Sequence, residues 1–589
     1  MTIELLKQKR GHPLRAAWRV RSRAAIFGLL VAACTAAGAA APPDRPASIG
    51  EARRFLSMAA FGPNDNDAEL LLKIGLSAWI DRQWQIAPTS HRACWETTEA
   101  AVRAADPNQG IYFTGVVDCF WKQAINGPDQ LRLRTAYALS QIFVISAADS
   151  GVNDHPREIA AWLDMLGTDG LTTYRQLLES VARHPQMGRY LSHLRNQKAD
   201  PTTGRVPDEN FGREVMQLFS IGVVKLNLDG SPQLVGGQSV ETYGPADVAG
   251  MARVFTGFSF ECPAFPANGC FYSGSSGGAS NPDREWKPMR GYPNFHEKGE
   301  KRFLGVTIAA QTVADPDASL RMALDTLAAH PNVAPFISRQ LIQRLVTSNP
   351  SPTYIRDVAT VWNNNGAGVR GDIKAVVKAI LTHPESRRVS NIDGKVREPV
   401  LRLAAFLRAF PHRSDSGRFR VGETENPGTQ LGQTPLHAPS VFNFYRPGYV
   451  APGSNSAAAG MVAPELQLLN ETSVAGYVNY MRGNLQYGVG SYNQTINGVV
   501  YNRPDLQRDW SQEMEYSTKP GVLADYLITR LLYLQPAVGL RAEVVTAINS
   551  IVLPNYTGSN LPAIYDAQRK RVNAALLLVL ASPEYLVQK

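Results

Sequence analysis

The chain has 589 residues, 44% hydrophobic and 19% charged, which excludes a disordered or low-complexity protein and suffices for a sizeable core. Its formal charge of +9 is concentrated at the start: residues 1–33 hold seven basic residues and one acid, leaving 53 basic and 50 acidic residues beyond them. A body so close to neutral offers no electrostatic case for binding nucleic acid.

The first residues read as an export signal. A basic stretch, Lys7 to Arg23, precedes a short apolar run, Ala24 to Ala33, then small residues and Pro42-Pro43. The run is short and Ala-rich for a bilayer span, which argues for a cleaved signal over a retained anchor. Two processing sites compete. Val31-Ala32-Ala33-Cys34 resembles a lipobox, with Cys34 the acylated residue, whereas Ala39-Ala40-Ala41 suits ordinary cleavage. Either way the protein is expected outside the cytoplasm: periplasmic, anchored to the outer membrane through a lipid, or extracellular. Residues 1–41 are therefore assigned as signal, 42–409 as the main helical body, 410–430 as a polar surface loop and 431–589 as a C-terminal helical part.

In the body, a cap, a helix and a Gly or Pro stop recur. Ser48-Ile-Gly-Glu51 opens a helix that Gly62-Pro63 ends, and Asn66-Asp67 caps another that Gly75 ends. Further helices are predicted over 131–146, 170–195 (broken at His184-Pro185), 208–222, 246–258, 318–347 (broken near His330-Pro331), 352–365 and 372–382. Strand patterns are few; 498–502 fits one arm of a hairpin. The fold class is thus mainly α, with long polar loops and at most a minor hairpin. His-Pro occurs at His155, His184, His330 and His383, and at the last three it follows an apolar helical run, which suits a junction where Pro starts the next helix. Export favours paired cysteines. Cys94, Cys119, Cys262 and Cys270 allow three pairings, and Cys94–Cys119 with Cys262–Cys270 needs the least chain closure. No C-x-x-C or neighbouring His pair suggests a metal, and no Walker loop or dinucleotide fingerprint suggests a cofactor.

Several runs together are similar to one family. They are Asp129-Gln-Leu-Arg-Leu-Arg134 with Ala138 to Ser146; His184 to Tyr190; Pro207-Asp-Glu-Asn-Phe-Gly-Arg-Glu-Val-Met-Gln-Leu-Phe-Ser-Ile-Gly222; Phe255 to Phe258; His296 to Lys301; Arg339 to Val346; Lys395-Val-Arg-Glu-Pro399; and Ser440-Val-Phe-Asn-Phe-Tyr445. In this order they resemble the exported bacterial domain-of-unknown-function family 1800, over nearly all of residues 48–589. Phe258 stands where the family pattern suggests Trp. The resemblance implies export and an exported sulfatase- or phosphatase-like protein encoded nearby as a partner. It implies no catalytic residues.

The 208–222 segment is the most informative for a site. Asp208 is placed to cap it, with Glu209 in the first turn; Asn210, Arg213, Glu214 and Gln217 form one polar stripe, and Phe211, Val215 and Leu218 an apolar one. Arg and Glu mixed with amides are less typical of a plain solvent face than Lys and Glu, and Glu209, Arg213, Glu214 and Gln217 are expected to face the main cleft, against a solvated helix face or a buried polar network. His296 and Lys301, at the end of a glycine-rich loop, and His437 and Asn443, in a proline-rich segment, are further candidates. Gly274-Ser-Ser-Gly-Gly278 matches a nucleophile elbow in letters, but loop composition surrounds it. Two functions follow: a helical scaffold or binding module acting with an exported partner, or a hydrolase of an extracellular polymer using Glu209, Glu214 and His296.

Overall fold

A computed structural model describes residues 44–389, 394–492, 494–496, 499–533 and 538–589, and residues 43–589 cluster as one unit. The segments read as export signal and lipobox, Cys34 included, lie outside the described residues. Twenty-six α-helices and seven two-stranded sheets are formed among those described, so the fold is mainly α. One apolar core runs from Ala52 to Tyr585 and includes the fully buried Trp79, Trp121, Trp162 and Trp362. A satellite core of Phe271, Tyr292 and Phe295 forms around Cys262–Cys270 in the glycine-rich loop, with Phe271 and Phe295 stacked at 3.7 Å. Cys94 and Cys119 form the other bridge, joining two adjacent helices.

Packing so many helices around one core buries their ends. The last four carbonyls of a helix lack intrahelical partners, and a buried carbonyl without a donor costs about 1–3 kcal/mol. Buried arginines supply the donors. Arg408 donates to Gly62 O at 2.7 Å and to Ile125 O at 2.7 Å, in the last turn of Phe113–Asn126. Arg132 reaches Gly167 O at 2.8 Å and Ile86 O at 3.2 Å, at two further helix ends. Arg571 reaches Ile551 O and Ser517 O in the same way. A guanidinium suits this task because it carries five donors in a fork and a charge that complements the negative helix end.

The histidine junctions are equally physical. At His184, His330 and His383 the Nδ1 accepts the backbone N–H two residues on, at 3.2, 3.1 and 3.1 Å. His155 starts its helix without such a bond.

Other expectations need correction. The helix expected over 131–146 spans Gln130–Ser140 only. Beyond it the chain leaves the helix through a turn, Ile142 N and Phe143 N both donating to Leu139 O, and Ala147 N donates to Leu436 O at 2.8 Å. The second cap is Asn64, whose side chain accepts from Asp67 N, not Asn66-Asp67. The 410–430 loop is largely at the surface but anchored at points. Asp505 binds the backbone of Ser416 and Arg420, and Thr424 is fully buried. Ser276 lies in a two-residue hairpin, Ser275–Ser276 with Ala279–Ser280, and no helix follows it, so the elbow geometry is missing. The hairpin expected at 498–502 forms as Val499–Tyr501 against Gln494–Ile496.

Candidate functional site

The helix Val333–Leu345 carries Phe336, Arg339, Gln340, Gln343 and Arg344 at positions i, i+3, i+4, i+7 and i+8, hence on one face. That face forms one wall of a cleft of about 390 Å³. Gln141 and Ile142, just past the end of the Gln130–Ser140 helix, form another, and Gln217 to Val224 and Val441 to Gly448 close it. Gly222, at φ +66°, is required here: a Cβ would stand 2.6 Å from the Phe336 ring. Leu218, Val223, Phe336, Val441 and Phe442 make the lining mostly apolar.

The polar part of the lining is two arginines and four glutamines, Gln141, Gln217, Gln340 and Gln343, with no carboxylate, histidine, serine or cysteine. Such a wall offers charge and hydrogen bonds but no nucleophile or general base. Arg339 makes no hydrogen bond, ion pair or ring contact to any described residue, and burial lowers its pKa. Arg344, 3% exposed, lies over the Tyr445 ring at 4.5 Å and donates to Gln141 O at 3.3 Å.

Behind this wall lies a buried ionic cluster. Glu398 Oε2 accepts from Tyr137 at 2.9 Å, from Gln433 at 2.8 Å and from the Gln141 amide. Burial alone would push the Glu398 carboxyl up, but Lys395, Arg134 and Arg344 overcome it and hold the group below its ordinary range. Burial, reinforced by the Glu398 charge, pushes the Tyr137 and Tyr445 phenols far up, so both stay protonated. Lys395 Nζ pairs with Glu465 at 3.1 Å and donates to Gln343 O and Arg344 O, each at 3.0 Å. Arg134 also donates to Arg344 O, at 2.7 Å. The end of the cleft helix is therefore capped by two buried cations, and the antiparallel pairing of Val587–Gln588 with Lys395–Val396 fixes one of them.

Three cations (Arg134, Arg344, Lys395) here face two carboxylates (Glu398, Glu465), before Arg339 is added. Several buried atoms of the cluster have no hydrogen-bond partner among the described residues: Arg134 Nε and Nη1, Arg344 Nη1 and Gln141 Oε1.

The sequence candidates are distributed around this place. Gln217 lines the cleft and accepts from the Tyr243 hydroxyl at 3.0 Å. Glu209 and Arg213 line a neighbouring groove of about 360 Å³ that shares Gln217 and Val223 with the cleft. They form an exposed pair at 3.0 Å, their side chains 46% and 43% accessible. Glu214 turns inward, 8% exposed, and burial raises its pKa. The stripe thus divides: one end reaches the cleft, the middle is wet and one member is internal. Asp208 accepts from Asn210 N at 2.8 Å, and the Asn210 amide lies 3.4 Å from Ser192 Oγ. His296 is fully buried with Nδ1 on Thr256 O at 2.8 Å and Nε2 at 3.0 Å from Ser319 Oγ; burial pushes its pKa down to about 4. Lys301 is buried too, 3.4 Å from Gly299 O. His437 packs near Phe113, at 5.7 Å between rings. Asn443 is 5% exposed at φ +65°, within the segment that closes the cleft and two residues before Tyr445.

Arg134, Gln141, Arg339, Arg344, Lys395 and Glu398 are not among the candidates that the sequence pattern offers. The available signal was charge inside apolar helical runs, Leu131-Arg-Leu-Arg-Thr-Ala-Tyr137 above all, because buried charges demand partners from elsewhere in the chain.

Among the described residues no group of three His, Cys, Asp or Glu is placed to hold a metal ion, and no helix is long and apolar enough to cross a membrane. Two disulfides are compatible with an exported protein. No curated protein and no solved structure matches the chain. Residues 54–587 match the family described as Protein of unknown function (DUF1800), and the chain belongs to that family.

Proposed function

We propose that this protein is an exported binding module whose ligand sits in the cleft between the Val333–Leu345 helix and the 441–448 segment. One observation carries the reading: a mostly apolar cleft of about 390 Å³ holds the unpartnered Arg339 and lacks any nucleophile or base in its lining. Its size is that of small-molecule sites, and apolar walls with a few polar groups are their usual composition. The sulfatase- or phosphatase-like partner implied by the family resemblance would be the co-acting protein.

The alternative, a hydrolase using Glu209, Glu214 and His296, has less support. Glu209 is committed to Arg213, and the His296 ring has both nitrogens engaged. To test the binding reading, the protein is purified from its native envelope and weighed by native mass spectrometry. The wild type should carry an added small-molecule mass, and a folded Leu218→Trp variant, its cleft filled, should lack it. The same added mass on both would place the ligand elsewhere, and no added mass on the wild type would count against the reading.

A further inference from the structure

We infer that the cleft takes an amphipathic anion: a compact, singly charged head against Arg339, with an apolar body along Phe336, Leu218 and Val441. This rests on the binding reading above and adds the chemistry of the ligand. Charge is the first ground. Arg339 lines the cleft with no partner among the described residues, and no carboxylate stands in the lining to neutralise it. Glu398, in the cluster behind, does not compensate. Its Oε2 is held by Tyr137, Gln141 and Gln433, and Gln141 itself forms part of the cleft wall. That cluster already holds one more cation than carboxylates, so the electrostatic field at the cleft's inner wall is positive. A half-buried guanidinium without a counter-charge is costly, and an anion arriving there gains a charge-assisted hydrogen bond.

Shape is the second ground. Apart from the arginines and the glutamine amides the lining is apolar, and its apolar residues come from four separate segments, Ile142, 218–226, Phe336 and 441–448. A wholly polar anion such as free phosphate would leave that surface unmatched, and a neutral hydrocarbon would leave Arg339 desolvated. A ligand with both parts satisfies both. Arg344 adds charge from behind but is fixed over Tyr445 and onto Gln141 O, so Arg339 is the head contact.

Decanoate, decanamide and acetate, titrated into the full exported chain by calorimetry, test this directly. Decanoate should bind, and acetate should bind far more weakly because it lacks the apolar body. Arg339→Gln should weaken decanoate at least tenfold while leaving decanamide unchanged. Arg339 is only half-buried and caps no helix, so this variant should fold, which its thermal melt verifies. Decanamide binding the wild type as tightly as decanoate, or Arg339→Gln leaving decanoate unaffected, would overturn the anion while leaving the cleft a binding site. If neither ten-carbon probe bound, or if Leu218→Trp bound decanoate like the wild type, the inference and the binding reading would fall together.

Discussion

The Lys395–Glu465 pair and the Glu209–Arg213 pair have nearly the same length, 3.1 and 3.0 Å, yet they are different objects. The first is buried, 0% and 2% exposed, and its lysine also caps the helix that carries Arg339. The second joins residues one helical turn apart, both nearly half exposed, and caps nothing. Breaking a buried pair leaves a stranded charge, whereas water replaces either partner of an exposed one. The difference teaches that residue types alone do not locate the important charges. Their tertiary surroundings do.

That contrast can be broken by mutation. The largest effect is expected for Lys395→Met, which strands Glu465 and removes donors from two helix-end carbonyls. About 3–5 kcal/mol of unfolding free energy should disappear in urea denaturation, and a near-wild-type midpoint would show that the buried cluster is not structural. Next comes the Cys94→Ser/Cys119→Ser double variant, expected to lose about 3 kcal/mol by releasing the 25-residue closure; an unchanged melt would deny the bridge its role. Third is pH. Burial lowers His296 to about 4, so its stabilisation is fully present above the unfolded value of about 6.5 and is lost as pH falls toward 4. His184 and His412, both lowered to about 3 by burial, act in the same direction. Asp118 and Glu158, raised to about 7 and 8 by burial, oppose them, since their contribution is lost as pH rises through those values. His296→Gln isolates one member: its stability should fall less steeply between pH 6.5 and 4, by up to ~1.4 kcal/mol per pH unit, and parallel profiles would refute the assignment. The smallest effect is Arg213→Ala, expected within about 1 kcal/mol. A loss several times larger would erase the contrast between the two pairs.

Much of the helical framework is legible in local chemistry. The Ser48 cap, the Gly75 stop and the His-Pro junctions at 184, 330 and 383 each depend on residues within a few positions, so they can be read directly. The end of the Gln130–Ser140 helix is not local: residues 141–147 leave the helix to meet the 436–438 segment, nearly 300 residues away. The site escapes for the same reason. The 208–222 stripe has a periodic pattern and leads to Gln217 at the cleft edge, but Arg134, Arg339 and the Lys395–Glu398 pair of positions come from three distant runs with no shared period. Only packing brings them together. Burial fractions likewise decide that Glu214 is internal and Arg213 wet, although they are adjacent in sequence.

The central claim, that the cleft and not the outer groove is the ligand site, is tested most directly by hydrogen–deuterium exchange with and without saturating decanoate. Slower exchange is predicted in residues 218–226 and 441–448, which close the cleft, with residues 241–248 of the groove unchanged. Protection at 241–248 with none at 441–448 would contradict the account.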